Sequence, residues 1–323
     1  MGLLVEGVWQ DRWYDTGKSG GAFVRPPTRF RNQVSADGTG LFPAAAGRYH
    51  LYVSLACPWA HRTLIARRLK RLDDVISVSI VDPFMGEQGW GFSDAAGAVP
   101  DAVNGKRWLH EVYTLADPAY SGRVTVPVLW DKQRRTIVNN ESAEIVRILN
   151  AAFDAWGDPS ADLYPENLRG EIDAVNAWIY DDVNNGVYRA GFATTQEAYE
   201  EAFDRLFAAL DRIEGILSER RFLTGPRRTE ADWRLFTTLV RFDAVYYGHF
   251  KCNLRRIEDY PNLSNYLRDL YQVPGIADTV NFEQIKRHYY ASHQMINPTR
   301  IVPKGPALDY TRPHDRNRLG EAA

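Results

Sequence analysis

The sequence predicts two domains, a mixed α/β unit followed by an all-helical one. Three observations carry this. Between residues 49 and 153, short apolar runs of strand type alternate with stretches of helical spacing. Near residue 155 the strand pattern stops. Every periodic segment beyond it repeats at the helical period. With 323 residues the chain suits one large domain or two ordinary ones, each able to bury a core.

Residues 1–47 are rich in Gly, Pro and polar residues, with scattered aromatics, and are expected to form an extended arm lying on the body. The α/β domain is expected over 48–155. "YHLYVS" (49–54) reads as a buried strand, "PWAHRTLIARRLKRL" from Pro58 as a helix, and "VISVSIV" (75–81) as a second strand. A long insertion over 82–122 carries "MGEQGWGF" and a short helical patch near "RWLHEVYTL". "VPVLWD" and "TIVNN", joined by a turn at Lys132–Arg135, predict an antiparallel hairpin, and "ESAEIVRILNAAF" closes the unit as a helix.

The helical domain is expected over 160–300, with helices at 166–187, 195–219, 229–247, 260–272 and near 282–292. "TEAD" at 229–232 matches a capping box with Asp in place of the usual Glu. Residues 301–323 form a polar tail with no assignable role.

Composition narrows the function. Hydrophobic residues make up 45%, and 39 Lys+Arg nearly cancel 41 Asp+Glu. That balance argues against nucleic-acid and anionic-membrane partners. No apolar run reaches the length of a membrane span, and the N-terminus lacks a secretory pattern. Two widely spaced cysteines argue against a disulfide scaffold and point to a reducing, cytoplasmic setting.

One of those cysteines, Cys57, directly precedes a proline at the expected start of a helix. Unpaired N–H groups and the helix dipole there favour an anion and lower a thiol's pKa. A buried, inert cysteine is the competing reading, and spacing alone leaves the two about even. His61, one turn along, is expected to be structural, and no Cys/His cluster supplies a metal site. Ala60 stands where a redox helix would carry a second cysteine, so a mixed disulfide at Cys57 would need a thiol from solution. Cys252 is expected to be structural.

Two weaker signals follow. Pro127 opens a strand, where it could leave the backbone of Val126 open to an extended ligand; an ordinary edge-strand proline reads the same way. Glu141 and Ser142 begin a helix straight after a strand, a geometry that could take a carboxylate and an ammonium, or be no more than an acidic first turn. The thiol, the strand proline and "ES" in this order are a rarer coincidence than any one of them.

Together these features resemble the glutathione transferase superfamily, with a thioredoxin-like N-terminal half and an all-α C-terminal half. "CPWAHR", "GWGF", "SGRVTVPVLWD", "NNES", "NNGVYRAGFAT", "FDAVYYGHFKCN", "DYPNL" and "INPT" look like the glutathionyl-hydroquinone reductases, the Xi class. The resemblance implies roles. Cys57 would be the nucleophile. Trp90 would pack on glutathione, Arg123 would bind its glycyl carboxylate region, and Val126 would pair with its cysteinyl backbone. Glu141 and Ser142 would hold the γ-glutamyl end. Tyr188 would be the general acid–base, with Tyr246 and Tyr289 turning hydroxyls toward the thiolate or the aromatic substrate. Their neighbours Tyr247 and Tyr290 compete for those two places. Without the resemblance, a tyrosine in a chain that is 12% aromatic would be read as packing.

The implied activity is reduction of glutathionyl-hydroquinones with glutathione as cosubstrate, no metal, and a homodimeric assembly. An omega-like thioltransferase or dehydroascorbate reductase would use the same cysteine without the tyrosines. A non-catalytic ligand carrier would need neither.

Overall fold

A computed structural model describes residues 2–320. Contacts divide the chain into two units. One comprises residues up to Trp13, Pro26–Asp162 and Glu283–His288; the other comprises Tyr14–Arg25, Leu163–Phe282 and the residues from Tyr289 onward.

The first unit is built on a four-stranded sheet. Its strands are β3 (Tyr49–Val53), β4 (Ser77–Ile80), β6 (Val128–Asp131) and β7 (Thr136–Asn139), in the order β4-β3-β6-β7. β3 and β4 are parallel, and the other two pairings are antiparallel. Every residue of β3 is buried, His50 included, which explains why the strand shows no polar–apolar alternation: a central strand covered on both faces has no polar side to alternate with. The β6–β7 turn is made by Asp131, whose carboxylate accepts from the backbone N–H groups of Gln133 (2.8 Å) and Arg134 (3.2 Å). Two helices of this unit, α1 (Pro58–Leu69) and α3 (Ser142–Ala151), pack against each other.

A buried carboxylate helps tie down the insertion, beside a backbone bridge between Ile80 and Val99. Asp101 accepts from the hydroxyl of Tyr52 in β3 (2.9 Å) and from the backbone N–H groups of Val103, Asn104 and Lys106 (3.0–3.1 Å). The insertion also holds a helix, α2 (Leu109–Ala116), and a two-residue strand, β5 (Gly122–Arg123).

Within the stretch expected as an extended arm, β1 (Leu3–Val5) and β2 (Val8–Gln10) form a hairpin, and β1 also pairs with β5. Trp9 on that hairpin stacks on His110 and donates its indole N–H to the carbonyl of Glu87 (2.9 Å). Gly89 has φ +71° and lies against the Trp9 ring, so a side chain there would be both strained and blocked. Residues Tyr14–Arg25 belong instead to the second unit, where Phe23 packs on Phe192 with ring centroids 5.3 Å apart.

The second unit is helical: α4 (Arg169–Ile179), α5 (Gly186–Gly191), α6 (Gln196–Glu219), α7 (Glu230–Arg241) and α8 (Pro261–Tyr271). Thr229 and Asp232 make the expected capping box at the start of α7, and the buried Asp232 also accepts from the N–H of Leu223 (2.9 Å) and the hydroxyl of Tyr266 (2.8 Å). The last helix, α9 (Phe282–Ser292), is shared between the units by sequence position.

Two predicted helices differ from the expectation. A π turn at Tyr180–Asn184 separates α4 from α5, and another at Phe242–Tyr246 follows α7. Each is tied to a polar side chain. Asn184 donates to the carbonyl of Arg234 and the hydroxyl of Thr238, while Asp243 accepts from the N–H groups of Ile257 (2.7 Å) and Glu258 (3.1 Å).

The tail is also more ordered than its polarity suggests. Arg316 is fully buried and donates to the carbonyls of Leu217, Arg220 and Arg221, at and just past the end of α6. A cation at a helix C-terminus satisfies orphan carbonyls and the dipole together. Gln272 holds the carbonyls of Tyr310 (2.9 Å) and Arg312 (2.8 Å).

Candidate functional site

In the first unit Cys57 is the N-cap residue of α1, with Pro58 at the first helical position. It is half-buried and not in a disulfide. Its Sγ lies 3.7 Å from the carbonyl oxygen of Val126, 69 residues away in sequence. Two of the anticipated residues are thereby adjacent, and the Val126–Pro127 peptide between them and β6 is cis. His61 is fully buried in α1.

Glu141 is the N-cap of α3, and Ser142 is its first residue. The Glu141 carboxylate accepts from the N–H of Ala143 (3.3 Å), the hydroxyl of Thr28 (3.3 Å) and the hydroxyl of Ser142 (3.5 Å). Arg123, in β5, is half-buried and donates its guanidinium to the carbonyl of Arg12. Trp90 is buried, and its ring stacks on that of His288, with centroids 4.7 Å apart. His288 in turn meets the carbonyl of Pro83 at 2.9 Å through Nδ1. Sequence reasoning missed His288: it stands in "RHYY" beside the tyrosine that drew attention, and no periodicity marks its partner.

In the second unit the three tyrosines singled out from sequence come together. The hydroxyl of Tyr289 is 2.5 Å from that of Tyr188 and 3.0 Å from that of Tyr246. Tyr246 and Tyr289 are buried, and Tyr188 is half-buried. The competing neighbour Tyr290 points elsewhere, donating to the carbonyl of Ala244 (3.5 Å), and Tyr247 is half-buried outside this line. Burial, reinforced by the adjacent tyrosines, pushes the Tyr289 hydroxyl well above its ordinary pKa, so the middle of the line stays protonated.

Phe250 is the hub beneath the line. Its ring packs against Tyr188, Tyr246 and Tyr289 with centroids 5.4–5.6 Å apart. Gly191 makes room for it: a Cβ there would lie 2.1 Å from the Phe250 ring. Cys252, two residues on, is fully buried, and burial pushes its thiol far above the usual range. It is poorly suited to act as a nucleophile.

Among the described residues no cluster of three or more His, Cys, Asp or Glu could hold a metal ion, and no helix is long and apolar enough to cross a membrane.

Residues 56–152 match the family model for the glutathione S-transferase N-terminal domain, and residues 196–269 match that for the C-terminal domain. The chain therefore belongs to the glutathione transferase superfamily. It is 58% identical to the glutathionyl-hydroquinone reductase YqjG of Escherichia coli, over 98% of this chain and 99% of that protein. It is also 58% identical to the glutathionyl-hydroquinone reductase PcpF of Sphingobium chlorophenolicum, over 95% and 97%. The glutathione-bound structure of YqjG superposes with a TM-score of 0.90 at 55% identity, covering 98% of this chain and 99% of that one. A Xi-class enzyme from Natrialba magadii superposes with a TM-score of 0.93 at 50% identity, covering 99% and 98%. Within the superfamily the chain is a member of the glutathionyl-hydroquinone reductases, the Xi-class transferases, a family of oxidoreductases.

Proposed function

We propose that the chain reduces glutathionyl-hydroquinones to hydroquinones through a mixed disulfide between Cys57 and glutathione. The named activity of the relatives and the glutathione bound in one of their structures support the substrate pair. Within this chain, the Tyr188–Tyr289–Tyr246 hydroxyl line carries the reading. Simple disulfide exchange needs no such proton relay, whereas cleaving sulfur from an aromatic ring does.

The Cys57 thiolate attacks the sulfur of the substrate, forming an S–S bond as the carbon–sulfur bond breaks. Carbon leaves poorly from an intact aromatic ring. The ring must first reach a keto tautomer, so that the departing electron pair restores the hydroquinone. Tyr188, the half-buried end of the line, gives and takes the ring proton; Tyr289 hydrogen-bonds its oxygen, and Tyr246 hydrogen-bonds Tyr289 in turn. Such general acid–base help contributes roughly 10²–10⁴-fold. A second glutathione thiolate then attacks the mixed disulfide, releases oxidised glutathione and regenerates Cys57. The kinetics are ping-pong.

On the glutathione side, Val126 offers its backbone, Trp90 an aromatic face, Arg123 a cation, and Glu141 with Ser142 the start of α3. The placement of Val126 beside Cys57 supports that assignment. A homodimer in a reducing cytoplasm completes the reading, and two cysteines without a disulfide fit it.

The test is mass spectrometry of the enzyme mixed with glutathionyl-hydroquinone and no free glutathione. One glutathione is expected on Cys57, removable by reductant, and Cys57→Ser should abolish turnover. An active Cys57→Ser enzyme would overturn the mechanism.

A further inference from the structure

Behind the tyrosine line lie two buried histidines that the reaction above does not use. His249 and His293 are 4% and 2% exposed. Nε2 of His249 and Nδ1 of His293 are 3.2 Å apart, and the two ring planes differ by 23°. A bond between two imidazole nitrogens uses one N–H and one lone pair, so the rings must adopt complementary tautomers.

The two residues belong to the segments that bear the tyrosines. His249 follows Tyr246 by three residues, just beyond the π turn, and its N–H donates to the carbonyl of Val245 (2.8 Å). His293 follows Tyr289 by four, directly after α9, and its carbonyl accepts from the N–H groups of Ile296 and Asn297 (2.9 Å each). The same two segments are thus tied by hydroxyls at 3.0 Å, by imidazoles at 3.2 Å and, more loosely, by the Tyr290 hydroxyl on the Ala244 carbonyl at 3.5 Å. Phe250 lies against both imidazoles as well as all three tyrosines, and His293 packs edge-on to Tyr289 with centroids 5.4 Å apart.

A π turn and a helix end are both places where the backbone can take another register. The hydroxyl contacts of Tyr246 with Tyr289 and of Tyr290 with Ala244 are little to hold them. We propose that His249 and His293 are a positioning pair, fixing the segments of Tyr246 and Tyr289 in the alignment their hydroxyls require. The pair serves the proton-transferring half of the reaction and not disulfide exchange. This rests on the reading of the tyrosines given above.

The experiment compares His293→Phe, which keeps a ring but no hydrogen bond, with His293→Asn, whose amide reaches the place of Nδ1. Two substrates are used: glutathionyl-hydroquinone, and the mixed disulfide of glutathione with 2-mercaptoethanol. His293→Phe should lose about tenfold or more in kcat on the hydroquinone, as small misplacements do. Its KM should change little, and the disulfide rate should be kept. His293→Asn should restore most of the loss. Equal loss on both substrates, no loss, or an Asn variant as impaired as the Phe variant would each overturn the proposal. If His293→Phe does not fold, His249→Phe against His249→Gln makes the same comparison from the other side.

Amide hydrogen exchange over residues 244–250 and 289–293, and Tyr188→Phe assayed alongside, separate the two levels of inference. Should Tyr188→Phe keep full hydroquinone turnover, the tyrosine reading fails. The pair is then judged by exchange: faster in the Phe variant and restored in the Asn variant supports it, and unchanged exchange overturns it.

Discussion

The hydroxyl oxygens of Tyr188 and Tyr289 lie 2.5 Å apart, although the residues are separated by 101 positions in the chain. Tyr289 is the buried partner and stays neutral, so its hydroxyl proton is available to the Tyr188 oxygen. Tyr188→Phe is therefore expected to cut hydroquinone turnover by about a hundredfold or more while simple glutathione disulfides are still reduced. Parallel rate measurements on the two substrates decide this. An equal drop in both would remove Tyr188 from the role given to it.

Gly191 tolerates no side chain where it stands. A Cβ there would sit 2.1 Å from Cγ of Phe250, inside any permitted contact. Gly191→Ala must displace the ring that supports all three tyrosines. A stability loss of about 1–3 kcal/mol in urea unfolding is expected, together with slower hydroquinone turnover. Wild-type values on both measures would contradict the packing described.

His50, in the central strand β3, has its imidazole pKa lowered to about 4, chiefly by burial. Between pH 6.5 and 4 the unfolded chain gains a proton at this position and the folded chain does not. Stability present above pH 6.5 is thus lost as pH falls through that window, by at most about 3 kcal/mol. Denaturant unfolding of wild type and His50→Asn at pH 7, 6 and 5 should show a gap between them that shifts steadily against wild type on acidification. A gap independent of pH would refute the assignment.

Arg316 reaches three carbonyls at the end of α6 from a buried position. Arg316→Ala should cost about 3 kcal/mol, since the carbonyls lose charged donors and a cavity is left. Arg316→Lys should recover only part, because an ammonium cannot span the three acceptors as a planar fork does. An Arg316→Ala protein as stable as wild type would show the clamp to be idle.

What the sequence disclosed was mostly local chemistry. Pro58 after Cys57, the "TEAD" box at Thr229 and the acidic start of α3 each sit within one turn of the group they serve, so reading the chain in order finds them. The tyrosine trio came from resemblance alone, as its members share no spacing. The relations that stayed hidden join distant segments: His288 under Trp90, Asp101 on Tyr52, the hairpin of the arm, and His249 against His293. The two π turns were hidden for a different reason. They add one residue to a helix whose apolar spacing continues nearly unchanged, and only the ties of Asn184 and Asp243 mark where the period slips.

The Arg316 clamp has a consequence for biogenesis. A ribosome delivers the carbonyls of Leu217 and Arg221 long before the guanidinium that caps them, which follows 99 and 95 positions later. Until then that helix terminus must be satisfied by water, and the helical unit emerges with its end unsealed. Nascent chains stalled before residue 316 should accordingly be more open to proteases near 217–221 than chains stalled after it.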